Sequence, residues 1–296
     1  VSAYKTFLEA VRPDLLLLNA FPWFQYYLAR AAKEAGIPYV MWHHGLVFRE
    51  MQYLSIPESA RERLITWENE VAQGSVAELF LASSSAKEWR KKYPLPEGKY
   101  PDSIVSLPID SAFFGVPHPR EQHDIPRIGW VGRWDAIKHP EYVFSLAVRL
   151  QNAAEMHAVT RLGKNALIPL DAEEFSQHVT VHDQMPTSAL RQFYASMDAC
   201  VLPSALETLG KVILEAAACG TPTFITRHVG LADVYRQTGM EHFLIEGDDL
   251  EKDSARILTY AKTPCTEEFL AYVRTEHRAA FTSTQLYARL QDIAKR

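Results

Sequence analysis

Short apolar runs alternate with helical stretches along most of this 296-residue chain, and that alternation leaves few folds open. Pro13-Asp-Leu-Leu-Leu-Leu18, Ile37 to Trp42 and Leu79 to Ala82 are too short for helices and almost wholly apolar, as strands covered on both faces are. Ser103 to Leu107 adds another strand. Helical patterns run through Val11, from about Trp23 to Ala35, from Glu58 to Ala72 and from Ala86 to Lys92. Beyond Pro126, strands are expected near residues 128, 157, 179, 199, 223 and 243, with helices between them. Such alternation builds parallel sheets flanked by helices, so the expected class is α/β with two open, mostly parallel sheets. Pro117, Pro119 and Pro126, set among charged residues, mark a linker. The expected boundaries are therefore a domain over 1–117, a second over 118–281, and a last helix over 282–296. With 47% hydrophobic and 23% charged residues, the chain has enough apolar surface for two cores.

The run Ser204-Ala-Leu-Glu-Thr-Leu-Gly-Lys-Val-Ile-Leu-Glu-Ala-Ala-Ala-Cys-Gly-Thr-Pro222 says most about chemistry. Apolar Ala199, Val201 and Leu202 make a strand that stops at Pro203-Ser204, and a helical pattern follows from Leu209 until Gly220 and Pro222 end it. Glu207 is thus expected on the loop and Glu215 inside the helix. A helix begins with unpaired N–H groups and a positive dipole end, so the amides of Thr208, Leu209 and Gly210 could receive a phosphate. Gly210 removes the side chain that would block it. Leu209 and Glu215 are separated by roughly 9 Å at about 1.5 Å of rise per residue. That span suits the two ends of a nucleotide sugar, with Glu215 on ribose hydroxyls and Glu207 on those of the sugar. The plainer alternative is a solvated loop charge at Glu207 and a capped or ion-paired helix charge at Glu215. For Glu215 it is the weaker account, because Val212, Ile213, Leu214 and Ala216 to Cys219 surround it.

Two glutamates with seven residues between them in this setting resemble the signature of the retaining GT-B glycosyltransferases of the family 4 type, the group 1 glycosyl transferases. Gly132-Arg133-Trp-Asp-Ala-Ile-Lys138-His-Pro-Glu141 resembles the segment that opens that family's C-terminal domain, and the match runs in register from about Pro13 onward. The resemblance implies two Rossmann-like domains. It implies that Arg133 and Lys138, following the strand Ile128 to Val131 and the turn at Gly132, hold the donor diphosphate. His139 departs from the family, which has glycine after the lysine. In Val40-Met-Trp-His-His-Gly45 the resemblance points to His44, before the glycine, as the histidine facing the donor sugar. A neutral imidazole can donate or accept a hydrogen bond there. Pro108-Ile-Asp110 with Phe113-Phe114 resembles the interdomain segment, and the helix from about Ser283 the one that returns to the first domain. The implied activity is transfer of a sugar from a nucleotide-diphosphate sugar to a hydroxyl of a glycan, lipid or small molecule, with retention and without a cofactor or required metal. Catalytic roles would fall to Glu207, Arg133, Lys138 and His44, and donor binding to Glu215, Thr208, Leu209, Gly210 and Gly132.

Other classes fit less well. A formal charge of −5 argues against a dedicated nucleic-acid binder, and no apolar run reaches about 18 residues. No carboxylate or cysteine accompanies His43 and His44 at ligand spacing, so no metal is expected. A Gly-x-Gly-x-x-Gly turn after a first strand is missing, which speaks against a nicotinamide enzyme. Cys200, Cys219 and Cys265 are an odd, scattered set that reads as reduced core thiols of a cytoplasmic protein. Lys87-Glu-Trp-Arg-Lys-Lys92 with Tyr93 could rest peripherally on the inner face of an anionic membrane, although a solvated helix face is the commoner meaning. The family begins with about three further strands, so this chain reads as a truncation or as a reduced form with an open sheet edge at Leu15 to Leu18. Val1 is also compatible with a start after a removed initiator Met. A homodimer or a partner chain would complete that edge. The rival reading of function is a non-catalytic or half-enzyme subunit that binds a sugar nucleotide.

Overall fold

The structure is a computed structural model, described here for residues 1–20, 23–94, 99, 101–114, 123–163 and 167–295. The chain divides into two compact units, Val1–Ser106 with Thr282–Arg296, and Leu107–Phe281. Pro117 and Pro119 of the expected linker lie outside the described residues. Residues 107–114 belong to the second unit. Both units are α/β, with parallel sheets flanked by helices.

The first unit runs α1 (Ser2–Val11), β1 (Leu16–Asn19), α2 (Phe24–Glu34), β2 (Tyr39–His43), α3 (Val47–Glu50), α4 (Glu58–Gly74), β3 (Ala77–Phe80), α5 (Ser83–Lys92) and β4 (Ser103–Ile104). Its strands pair in parallel in the order β1-β2-β3-β4. Every residue of β2 and β3 is buried, which explains their continuous apolar sequence. Strand β1 starts three residues later than its apolar run suggests, because Arg12 closes α1 in the left-handed region at φ 46 and Pro13 and Asp14 serve as the connection. Strand β3 ends at Phe80 rather than Ala82, since helix α5 already begins at Ser83. Trp89 and Tyr93, offered above as membrane-facing aromatics, lie in a core cluster with Leu46, Ala72, Phe80 and Ala86. Lys87, Lys91 and Lys92 of the same helix remain exposed.

Two buried carboxylates organise this unit, and neither was apparent from sequence. Glu78, inside β3, bonds His43 Nε2 at 3.2 Å, ion-pairs with Arg90 of α5, and has Lys99 Nζ at 3.5 Å. Arg90 Nε also donates to Asp102 Oδ2 at 2.8 Å. Burial alone would raise the Glu78 pKa, yet His43, Lys99 and Arg90 hold it below the ordinary carboxylate value. Glu68 of α4 is buried under the loop that follows β2, where its Oε1 accepts the Val47 N–H at 2.9 Å. Burial pushes the Glu68 pKa up to about 8; the Val47 and Phe48 amides oppose this, and the charges of Glu50 and Glu78 add to it.

The second unit runs β5 (Arg127–Val131), α6 (Pro140–Leu150), β6 (Glu155–Val159), α7 (Ala172–His178), β7 (Thr180–His182), α8 (Thr187–Ala195), β8 (Ala199–Leu202), α9 (Lys211–Ala218), β9 (Thr223–Thr226), α10 (Ala232–Gln237), β10 (Leu244–Ile245), α11 (Leu250–Tyr260) and α12 (Glu267–Glu276). Helix α13 (Ala279–Ala294) follows, and from Thr282 onward it packs with the first unit. The parallel strands lie in the order β10-β9-β8-β5-β6-β7. The chain therefore builds outward from β5 to β7, returns to place β8 against β5, and builds outward the other way. Between β5 and β8 the connections leave in opposite directions, and a crevice opens at the carboxyl ends of those two strands. Cys200, Cys219 and Cys265 are all free and buried.

These networks make two predictions. Glu78→Gln leaves Arg90 with Asp102 alone and Lys99 without its buried counter-charge, so urea unfolding should show a loss of about 3 kcal/mol. Glu68 has a folded pKa raised above its unfolded value. Its contribution to stability is then full below about pH 4.5 and lost as the pH rises through about 8. Glu68→Gln should gain on the wild type in thermal midpoint as pH rises through that window; parallel midpoint curves would contradict the assignment.

Candidate active site

The crevice between β5 and β8 is furnished by two loops tied to each other. After β5 the backbone turns at Gly132, whose N–H reaches Val159 O at 3.3 Å; a Cβ there would come within 2.9 Å of the Trp130 ring. Asp135 then closes a turn, accepting the Lys138 N–H on its Oδ1 at 3.0 Å. His139 adopts φ 55, ψ 54 ahead of Pro140, the first residue of α6. The departure from the family's glycine thus falls on a left-handed position, where glycine costs nothing and an L-residue pays strain. The helix still starts there.

After β8 the second loop carries Ser204 to Gly210. Ala205 N–H donates to Ile137 O at 2.9 Å, which stitches it to the first loop. Glu207 is held by its main chain: its carbonyl accepts the Gly230 N–H at 2.7 Å. Its carboxylate ion-pairs with Lys138 Nζ, both side chains being largely buried. Gly210 stands at φ 87, and a Cβ on it would meet Ile213 Cδ1 at 2.5 Å. That left-handed turn delays the helix, which begins at Lys211 rather than at Leu209. Thr208, Leu209 and Gly210 therefore lie in the approach to α9, with Leu209 buried, and the first-turn amides begin one residue beyond Gly210.

A groove of about 690 Å³ lies at the carboxyl ends of β5 and β6, lined by Val131 to Trp134, Lys138, Thr160 to Gly163 and Val212, among others. Arg133 is at its mouth, with a side chain 74% exposed and its Nε 3.1 Å from Asp135 Oδ2. Glu207 joins the groove through Lys138. Glu215 does not line it, but sits three residues beyond Val212 on the same face of α9. Its Oε2 accepts the Tyr194 hydroxyl at 3.2 Å, and Lys211 Nζ is 3.9 Å from its Oε1. Burial raises the Glu215 pKa, while Lys211 and Tyr194 pull it down.

His44 belongs to the first unit, at the carboxyl end of β2, half-buried with its ring edge-on to Trp42 at 4.8 Å. Burial and then His43 lower its pKa, which favours the neutral imidazole. His43 turns the other way, into the core, stacked on Phe80 at 4.6 Å. Among the described residues no group of three or more His, Cys, Asp or Glu side chains could hold a metal ion.

Sequence reasoning missed the contribution of the loop after β6 and of helix α8. Thr160 is buried with its hydroxyl unpaired at the groove wall, and Tyr194 supports Glu215. The position of Thr160 at the end of a strand adjoining the switch point was the available signal; for Tyr194 there was none.

Comparison with known proteins places this arrangement. The family described as glycosyl transferases group 1 matches residues 125–262. A D-inositol 3-phosphate glycosyltransferase of Thermomonospora curvata is 25% identical over 293 residues, covering 88% of this chain and 67% of that protein. D-inositol 3-phosphate glycosyltransferase 1 of Catenulispora acidiphila is 26% identical over 194 residues, covering 60% of this chain and 45% of that protein. The chain thus spans about half to two thirds of the length of these relatives. Among solved structures, the sucrose-phosphate synthase of Thermosynechococcus elongatus superposes with a TM-score of 0.72 at 18% identity, over 98% of this chain and 77% of that one. Sequence and fold agree: residues 125–262 match the group 1 glycosyl transferases, and the chain is built on the GT-B fold that its structural neighbours share.

Proposed function

We propose that the chain transfers a sugar from a nucleotide-diphosphate sugar to a hydroxyl acceptor with retention at the anomeric carbon. The observation that carries this reading is the meeting of Lys138 and Glu207 in the β5–β8 crevice, with Arg133 on the same groove. A diphosphate arriving there competes for the Lys138 ammonium and frees the Glu207 carboxylate to accept from sugar hydroxyls. Lys138, Arg133 and the amino end of α9 offset the charge that grows on the leaving diphosphate. In a groove walled by apolar side chains, that stabilisation is worth more than it would be in water.

Glu215 is assigned to ribose, and Gly132 and Gly210 to close approach of the donor. The loop amides of Thr208 and Leu209 are assigned to the phosphates. His44 is assigned a hydrogen bond to a sugar hydroxyl, on the resemblance and on the neutral ring that its burial favours. Retention through front-face substitution, with the leaving phosphate helping to take the acceptor proton, follows from the same resemblance. The family 4 type also implies that the cations and helix dipole serve where other transferases use a metal.

The reading of a non-catalytic, sugar-nucleotide-binding subunit separates from this one in a single assay. Hydrolysis or transfer from any of a panel of sugar nucleotides supports the enzyme, and binding without turnover supports the subunit. Pairing of a second chain along the open side of β1 is the partner contact proposed, and a strictly monomeric species at high concentration in light scattering would contradict it. Peripheral membrane contact would rest on Lys87, Lys91 and Lys92, and flotation with anionic vesicles tests it.

Arg133→Ala and Glu207→Ala should each lower turnover of the accepted donor by about 10²–10³-fold, the range for losing one preorganised charge stabiliser. Arg133 is exposed and its thermal midpoint should not move. Unchanged turnover in either variant would remove that residue from the mechanism.

A further inference from the structure

Glu215 is a carboxylate in a place where carboxylates are costly. Its side chain is 13% exposed, and apolar Ile213, Leu214, Ala216 and Ala217 of the same helix are buried around it. Burial there favours the protonated acid, which accepts hydrogen bonds poorly, and the charge of Asp110 pushes the same way. Two groups oppose this. Lys211 is four residues earlier on α9, 48% exposed and 3.9 Å away, an arrangement screened by water and free to swing into solvent. Tyr194 is different in kind. It comes from α8, is fully buried, and places its hydroxyl 3.2 Å from Oε2.

Tyr194 has little freedom to leave that position. Its own carbonyl accepts the Thr221 hydroxyl at 2.7 Å, and its ring packs against Phe113 and Phe193 with centroids 6.0 Å and 6.1 Å away. Burial, and then the nearby Glu215 charge, keep the phenol protonated far above neutral pH, so it remains a donor at every working pH. A fixed donor on one carboxylate oxygen restricts the rotation of the whole group. The other oxygen, Oε1, then presents its lone pairs in a constant direction.

We propose that Tyr194 is a positioning residue for the nucleotide: its hydroxyl locks Oε2 of Glu215 so that the carboxylate accepts from the two hydroxyls of a ribose diol. The inference rests on the reading of Glu215 as the ribose-binding group. Tyr194 touches no substrate itself. It acts by making Glu215 an ordered acceptor, and therefore by making the site discriminate a ribonucleotide from one without the diol.

Calorimetry of UDP, GDP and ADP, each against its 2′,3′-dideoxy counterpart, tests this on the whole chain. The wild type should bind at least one ribonucleotide about tenfold more tightly than its dideoxy form, the size of one lost charge-assisted hydrogen-bond pair. Tyr194→Phe should lose most of that preference and leave affinity for the dideoxy form unchanged, and it should add nothing in a Glu215→Gln background. Full preference retained in Tyr194→Phe would overturn the inference while leaving the role of Glu215 intact. A wild type that binds both forms equally, or no nucleotide at all, would overturn the ribose reading and this inference with it. Should the Phe variant not fold, 4-aminophenylalanine at 194, a weaker donor on the same ring, replaces it: a reduced preference supports the proposal and a full one overturns it.

Discussion

Lys138 and Glu207 are 69 positions apart in the chain, and their ion pair can form only because β8 returns to lie beside β5. Every feature of the second unit's site depends on that reversal. It sets the carboxyl ends of two strands side by side, while the helices that follow them depart toward opposite flanks. The loops left in between are joined by the Ala205 to Ile137 hydrogen bond, so the cation and the carboxylate are carried on one stitched platform rather than on two free loops. Rigid support of that kind holds charges in place before a ligand arrives, and preorganised charges stabilise a transition state without reorganising.

The same logic of supported charge recurs within each unit. Glu207 is fastened through its main chain to Gly230, and Glu215 through its side chain to Tyr194. In the first unit, Glu78 gathers His43, Arg90 and Lys99, and Glu68 holds the amide of Val47 at the start of α3. Each is a polar group whose desolvation is offset by donors from another element, and each therefore ties elements together more specifically than apolar contact does.

The order and type of the elements could be read from the chain because period and punctuation are local. Pro203, Gly220 and Pro222 bracket a strand and a helix without help from tertiary structure. Boundaries were less legible where backbone geometry rather than hydrophobicity decides them. The left-handed turn at Gly210 moved the start of α9, and Arg12 moved the start of β1. The glutamates and cations were recognisable as a set by their spacing and family pattern, but which partners they meet was not. Glu78 sits in an apolar strand with no local sign of its cations, and Tyr194 reads as an ordinary core aromatic. Both gain their role from residues distant in sequence.

The position of one ligand decides whether these charges serve catalysis. A crystal structure of the chain with a non-hydrolysable nucleotide-diphosphate sugar should show the diphosphate between Lys138, Arg133 and the amino end of α9, the Lys138–Glu207 contact opened, and ribose on Glu215. A ligand lodged elsewhere, with that ion pair unbroken, would contradict that role.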